Sequence, residues 1–526
     1  MSALRQAASR RSAVVGFVLL ILLWEIAGLR RWVGDGALPP PSAIAQAWWR
    51  DRADYPPHVW GTLKTALAGF VIGNALAIGL GVLLAWSRPL ERLMAGVNVT
   101  LFAMPAIALV PILVIALPGD SPRVVLAALS VYYPTMVATV LGLTQVDARL
   151  VDLVRVYGGS PWGVMRLVRL RSSLPVVLAG LRVAAPAAVL GSLLAEFGSG
   201  GSAGLGTYLI GSLGRADPAR LWGIGLAATA ISGAAYGLAS LAAHRFGDNT
   251  VSASLIPGLQ RPAAVDPVWH RVGIRLGALA MPFLLWWVVL NIFEMLGVSE
   301  IVLRSPLGVL EHVLTGESAA ENRETLRTAL YETLPITLLG MVVGLAVALG
   351  FAVATTVWRN LGRTLLPLAL VTQSMPLVAL TPLVVLVFGR GNLGIVVVTV
   401  SVTFFPAFVT IAQGLALVPA GAIDLVRVYG AGPWRQLRLV ALPWSLPYLC
   451  AAARLAAPRA FLGVMIAEWL ATGTGMGNLL NVSRGLLDFG MIWTVATVSI
   501  AIAVLLNALV VVLERHALHR YALTGA

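Results

Sequence analysis

Two stretches decide how this 526-residue chain is read: LVRVYGGSPWGVMRLVRL at Leu153–Leu170 and LVRVYGAGPWRQLRLVAL at Leu425–Leu442. Twelve of their eighteen positions are identical at a fixed offset of 272 residues. Both mix Leu and Val with Arg, so each is amphipathic. Arginines as close together as Arg155, Arg166, Arg169 and Arg171 exclude a helix facing lipid. Each stretch keeps a glycine and a Pro-Trp pair at one spacing, Gly158 with Pro161-Trp162 and Gly430 with Pro433-Trp434. Connections ordinarily vary between copies of a repeat, so one kept this closely points to something that binds it. Asp152 and Asp424 are expected to cap a short helix, the glycines to turn the chain, and the prolines to begin a second helix. The product is a rigid lever.

Outward from the levers, the chain is apolar. Runs long enough to cross a bilayer, which takes roughly 20 residues, lie near 12–29, 62–86, 97–117, 123–145, 174–196 and 219–243. A second set lies near 272–297, 333–357, 364–388, 392–416, 444–470 and 490–513. All are read as helices, because backbone groups in lipid must pair within their own segment. Apolar residues make up 58% of the chain and charged ones 11%, against about 25% charged in soluble domains. That excludes a soluble enzyme, a secreted disulfide scaffold and a disordered chain. The run at 12–29 follows Arg5, Arg10 and Arg11 like a signal peptide. It lacks a small-residue cleavage site and carries Trp24 and Glu25, so it is read as a retained first helix.

The repeat extends beyond the levers. Thr62-Leu63, Gly69 and Gly73 match Thr333-Leu334, Gly340 and Gly344. Arg182, Pro186 and Glu196 match Arg454, Pro458 and Glu468, and Met-Pro-x-x-Ala-Leu-x-Pro occurs at Met104–Pro111 and Met375–Pro382. The fold class is therefore an all-α polytopic membrane protein, twelve helices in two parallel six-helix repeats. The halves are 1–262, with a lever at 152–171 and a linker from Phe246, and 263–526, with a lever at 424–443. A parallel repeat implies a pseudo-twofold axis along the membrane normal, with the pathway between halves.

Other counts close doors. Cys450 is the only cysteine, so no internal disulfide or thiolate cluster exists. The histidines stand far apart, no metal-ligand spacing occurs, and no cofactor site is read. Lys64 is the only lysine and follows Leu63, so no phosphate loop is present and nucleotide energy must come from another polypeptide. The net charge of +14 sits in short loops between apolar runs. The positive-inside rule explains it, and nucleic acid is not expected as a partner.

The repeated stretch looks like the EAA loop of binding-protein-dependent ABC importer permeases, E-A-A-x3-G-x9-I-x-L-P. Asp424-Leu425-Val426, Gly430, Val440, Leu442 and Pro443 fit it with conservative changes. Asp152-Leu153-Val154, Gly158, Val168 and Leu170 fit likewise, with Arg171 in place of the proline. Leu38-Pro39-Pro40-Pro41-Ser42 is similar to a segment of the nitrate/sulfonate/taurine branch, as are the glycines Gly204-Leu205-Gly206 after Glu196 and Gly475-Met476-Gly477 after Glu468. The resemblance implies the type I permease fold, two copies fused in one chain, and no chemistry of its own. It implies coupling helices that dock into cytoplasmic ATPases through Asp152, Arg155, Gly158, Pro161 and Trp162, and through Asp424, Arg427, Gly430, Pro433 and Trp434. The implied partners are two ATP-binding cassette subunits and an extracytoplasmic solute-binding protein. The implied place is the plasma or inner membrane, with both termini cytoplasmic. The implied solute is a nitrate-, sulfonate- or taurine-like anion or a related small metabolite; a vitamin precursor (pyrimidine, thiamine, riboflavin) or ferric iron stays open.

Five charged residues in the spans are pathway or gate candidates. Arg182 and Arg454, about two turns into the fifth spans, are either cations facing the pathway or arginines that snorkel to the cytoplasmic interface. Arg459 has only Ala187 as counterpart and is a candidate for half-specific recognition. Glu196 and Glu468 lie roughly 21 Å beyond those arginines along a helix, which excludes a bridge within one helix. They read as an outer gate, a docking site, or a plain helix terminus. Gly69, Gly73, Gly340 and Gly344 read as packing positions, and Pro105, Pro111, Pro376 and Pro382 as kinks. An ion-coupled carrier is the rival class, but it needs midplane carboxylates or histidines, and only Glu25 and Glu294, near the ends of first helices, offer them.

Overall fold

The computed structural model describes residues 18–199, 201, 203–215, 217–246, 268–358 and 376–520. The first half runs α1 (Val18–Leu29), α2 (Pro41–Arg50), α3 (Tyr55–Trp86), α4 (Arg88–Ala103), α5 (Ala106–Ala116), α6 (Ser121–Thr144), α7 (Ala148–Val156), α8 (Pro161–Ser199), α9 (Leu205–Leu213) and α10 (Pro218–Phe246). The second half repeats this order as α11 (Val268–Met295), α12 (Pro306–Leu314), α13 (Ala319–Val357), α14 (Leu377–Phe388), α15 (Asn392–Ala416) and α16 (Ala420–Val428). It ends with α17 (Leu446–Ala467), α18 (Gly475–Gly485) and α19 (Phe489–Arg520). Among the described residues, nine helices are long and apolar enough to cross a membrane. Each of the twelve expected spans contains a helix. Those at 12–29 and 364–388 are seen over Val18–Leu29 and Leu377–Phe388, and most of the linker after Phe246 lies outside the described residues.

The span expected at 97–117 is broken. Helices α4 and α5 meet at an angle of 93°. Pro105 lacks an N–H and disfavours helical backbone in the residue before it, and Met104 is extended at φ −63°, ψ 121°. Pro376 likewise stands just ahead of α14.

Glycines set the packing inside each half. Helix α3 lies on α6 and α13 on α15. A methyl group on Gly69 would stand 2.8 Å from the Val124 carbonyl oxygen, and one on Gly340 would stand 2.6 Å from Thr399 Cγ2. Only glycine permits these approaches.

The halves interlock. Helix α11 packs on α4, α19 on α5, and α14 on α10. The core shows how deep the junction goes. One cluster crosses it, with Ile107, Leu113, Leu193, Leu209 and Leu221 from the first half against Leu383, Phe461, Met476, Ile492 and Trp493 from the second. All of these belong to the part of the spans remote from the levers. Toward the levers the cores separate. Ala77, Leu84 and Met136 form one cluster in the first half, and Phe405, Phe408, Ile411, Leu437 and Ala452 form another in the second. The large core is thus shared on the side remote from the levers, while nearer the levers each half keeps a smaller cluster of its own.

Candidate functional site

The two levers have the same geometry. Gly158 and Gly430 adopt φ of +79° and +77°, the left-handed region open to glycine at little cost. Their turns close with Gly159 N–H donating to the Val154 carbonyl at 2.8 Å and Ala431 N–H to the Val426 carbonyl at 3.0 Å. Pro161 and Pro433 each open the following helix, and Ser160 Oγ caps the first of them by accepting from Gly163 N–H at 3.2 Å. A π-helical turn follows in both copies, Met165–Arg169 and Leu437–Ala441, before the chain enters the fifth span.

The expected capping by Asp152 and Asp424 is not what forms. Helix α7 begins earlier and is capped by Asp147, which accepts from Arg149 N–H at 2.9 Å. Asp152 and Asp424 stand inside their helices, where they pair with Arg155 at 3.7 Å and Arg427 at 2.8 Å one turn on. The apolar face of each lever is bare. Val156 and Tyr157 are 82% and 84% exposed, Val428 and Tyr429 85% and 84%, and Trp162 and Trp434 are also exposed. The identical Val-Tyr pairs before Gly158 and Gly430 were visible in the repeat but carried no expected role; exposure reveals them.

At the ends of the fifth spans remote from the levers, Glu196 and Glu468 are 1% exposed. Glu196 accepts from Thr62 Oγ1 at 2.7 Å and from Gly206 N–H at 2.7 Å, while Leu205 N–H donates to Thr62 Oγ1 at 2.9 Å. The second half repeats the knot: Glu468 accepts from Thr333 Oγ1 at 2.9 Å and from Gly477 N–H at 2.9 Å, and Met476 N–H donates to Thr333 Oγ1 at 2.9 Å. In each half a carboxylate at the end of the fifth span grips the glycine loop and the second span together. The glycines of these loops are closely packed. A methyl group on Gly206 would stand 2.9 Å from Glu196 Cβ, and one on Gly477 would stand 2.8 Å from Glu468 Cβ. The threonines matched in the repeat, but their partners lie 134 and 135 residues away, beyond any local signal.

The halves differ around these knots. In the first, Arg123 donates to the Ala203 carbonyl at 2.7 Å and to Ser199 Oγ at 3.2 Å. In the second, Glu332 accepts from Gly475 N–H at 2.6 Å. Where α2 ends and α10 begins the first half also carries a charge brace, with Arg220 donating to Asp51 at 2.6 and 2.7 Å and Arg50 donating to Asp217 at 2.6 Å. Hydrogen bonding from Arg220 holds the Asp51 carboxyl down to about 2, against the opposing effect of burial.

The span arginines part company. Arg454 donates to Glu514 at 2.8 Å and ties α17 to α19, so it is an ion-paired residue and not a free cation. Arg182 keeps a buried Nε with no hydrogen-bond partner. Arg459 is half-buried on the rim of the shared core, next to the buried Pro458 and Ala460.

Residues 77–249 and 340–522 each match the family described as binding-protein-dependent transport system inner membrane component. The chain is 32% identical over 157 residues to the riboflavin transport system permease protein RibX of Chloroflexus aurantiacus, covering 30% of this chain and 59% of that protein. It is 27% identical over 234 residues to a probable ABC transporter permease of Haemophilus influenzae, covering 43% and 92%. It is 26% identical over 238 residues to the putative aliphatic sulfonates transport permease SsuC of Bacillus subtilis, covering 43% and 83%. With two copies of the domain covering most of its length, the chain belongs to the binding-protein-dependent transport system inner membrane components and is an ABC permease, a multi-pass transport protein and not an enzyme.

Proposed function

We propose that this one chain forms the whole translocation pathway of an importer, with 1–262 and 263–526 doing the work that two permease copies do elsewhere. A solute-binding protein delivers a small solute to the outer side, and two cytoplasmic ATP-binding cassette subunits engage the levers at Asp152–Arg171 and Asp424–Pro443. Both termini are then cytoplasmic. The solute is of the nitrate, sulfonate or taurine type. The SsuC resemblance and the Leu38–Ser42 segment favour that type, and the RibX resemblance keeps a vitamin as the alternative.

The observation that carries this reading is the bare apolar face repeated on two levers, Tyr157 beside Gly158 and Tyr429 beside Gly430. Water does not reward such surface, whereas a groove on another protein does. The division of the cores supports a rocking mechanism. Closing of the ATPases on ATP would draw the levers together and press the two separate inner cores toward each other. The shared outer core would then split and admit solute, while each half moves as a body because its own glutamate knot stays tied. Hydrolysis would restore the inward-facing state.

The test is ATP-driven uptake in proteoliposomes holding the chain, its two ATPases and its binding protein. Scrambling both lever segments, in protein that keeps its fold by thermal melting, abolishes uptake. Undiminished accumulation by that variant, or uptake by the lone chain in a pH gradient, would sink the proposal.

A further inference from the structure

Each lever has two helices, and the second one, which runs back into the fifth span, has a face of mixed chemistry. In the first half Trp162, Arg166, Leu167, Leu170, Arg171 and Leu174 are exposed along the start of α8, while Val164, Met165, Val168 and Ser173 behind them are buried. The open stripe therefore alternates arginine with leucine. Among the described residues, the side chains of Arg166 and Arg171 make no hydrogen bond or ion pair. Water rewards the arginines and not the leucines, and lipid tails the reverse. A face that carries both fits the boundary between them.

Two helices place the stripe at that boundary. Thr62 on α3 and Glu196 on α8 share one level, because they are hydrogen-bonded at 2.7 Å. Lys64, two residues on, is exposed and paired with Asp120, so this level lies at the membrane boundary remote from the levers. From it Trp86 is about 36 Å away along α3, and Arg171 about 38 Å along α8. The hydrocarbon layer is roughly 30 Å thick, with headgroups beyond it, so both residues stand among the headgroups on the levers' side. Trp86 is the exposed last residue of its span, where tryptophan marks a membrane interface. Its ring lies 6.0 Å from that of Trp162, which holds the start of α8 at the same depth. Arg88, exposed at the start of α4, follows two residues after Trp86.

We infer that Arg88, Arg166 and Arg171 hold the phosphate of an anionic phospholipid from the leaflet on the levers' side, with Leu167, Leu170 and Leu174 against its acyl chains. Guanidinium groups match phosphate at two oxygens, and basic pockets between spans at this depth suit such headgroups. The bare Val156 and Tyr157 lie on the other helix of the lever, α7, and stay free for a protein partner. The site also gives Arg171 a role. The second half keeps Arg438 in the place of Arg166 but has Pro443 in the place of Arg171, so the first half binds the lipid more tightly.

Native mass spectrometry of the full chain, released from micelles holding equal amounts of dioleoyl phosphatidylglycerol and dioleoyl phosphatidylcholine, reads the preference. The natural chain retains phosphatidylglycerol. Arg166→Gln with Arg171→Gln loses roughly thirtyfold of that preference, the combined worth of two arginines at an anionic surface. Should the pair not fold, Arg171→Gln alone loses roughly fivefold. Removing two charges elsewhere on the levers' side, Arg245→Gln with Arg515→Gln, changes the preference by no more than about twofold, because salt screens distant charges. Melting separates the headgroup from the fold. In nanodiscs of phosphatidylcholine the double glutamine variant of α8 melts with the natural chain, and added phosphatidylglycerol raises the natural chain alone. Equal retention or an equal rise in melting for that variant and the natural chain, or an equal loss in the Arg245 and Arg515 control, would overturn the inference. So would release of the ATPases by the α8 variant with its lipid preference intact, which would give the stripe to them. The lipid measurements use the chain without ATPase, binding protein or solute, so the importer reading and this one can each fail alone.

Discussion

Thr62 and Thr333 each serve two masters, donating to a buried carboxylate and accepting a backbone N–H from the glycine loop. Thr62→Val or Thr333→Val strands both groups, and each substitution is expected to cost about 1–3 kcal/mol, measured as a fall in the thermal midpoint in detergent; serine in the same place recovers most of it. Asp51 makes a pH-dependent contribution of similar size. Its folded value of about 2 lies below the ordinary 3.8, so its stabilisation is complete above pH 4 and is lost as the pH falls through that window. The shift corresponds to roughly 2 kcal/mol. Melting curves between pH 5 and 2 should steepen downward for the natural chain, and Asp51→Asn should be lower throughout and flatter there. Local sequence could not reveal either arrangement, because both depend on partners brought together by the fold: Asp51 meets Arg220 across 169 residues, and Arg454 meets Glu514 across 60.

At the level of elements the levers were the most legible part. Glycine at positive φ and proline at a helix start are demands of the backbone alone, so Gly158, Pro161, Gly430 and Pro433 could be placed from spacing. The helix starts could not, because Asp147 and Asp152 are equally good caps on paper and only the exit of α6 decides between them. The break at Met104–Pro105 was readable as a kink but not as a right-angle turn, since proline sets where a helix fails and neighbouring helices set the angle. Two substitutions separate binding from stability here. Tyr157→Ala and Tyr429→Ala, at positions 84% exposed, should change the melting point by no more than about 0.5 kcal/mol equivalent yet strip the ATPases from the purified complex. Gly158→Val should also strain the turn, by roughly 1–2 kcal/mol, and lower uptake per ATP hydrolysed.

Across the whole molecule, the halves differ in charge on the face that the proposed function places outside. The outer segments of the first half, 30–64, 117–123 and 197–220, hold eight basic and five acidic residues; those of the second, 300–332, 388–394 and 469–491, hold five basic and seven acidic. On the proposed function, a binding protein meeting this face would find opposite charge at its two ends, which favours one docking orientation. Stimulation of ATPase activity by that protein should fall as salt rises past about 0.15 M, where the screening length shrinks below roughly 8 Å. Sidedness is checked by labelling: a cysteine placed at Glu317 should react from outside, one placed at Gly430 only from the cytoplasm.

The pair between Arg454 and Glu514 has no equal in the first half, where the positions matching Glu514 are occupied by Ala242 and Ala243. The second half thus carries an ion pair between its fifth and sixth spans at a place where the first half has two alanines. Separating the fifth span from the sixth in the second half therefore also requires breaking an ion pair, a demand that the alanines at the matching positions of the first half do not make.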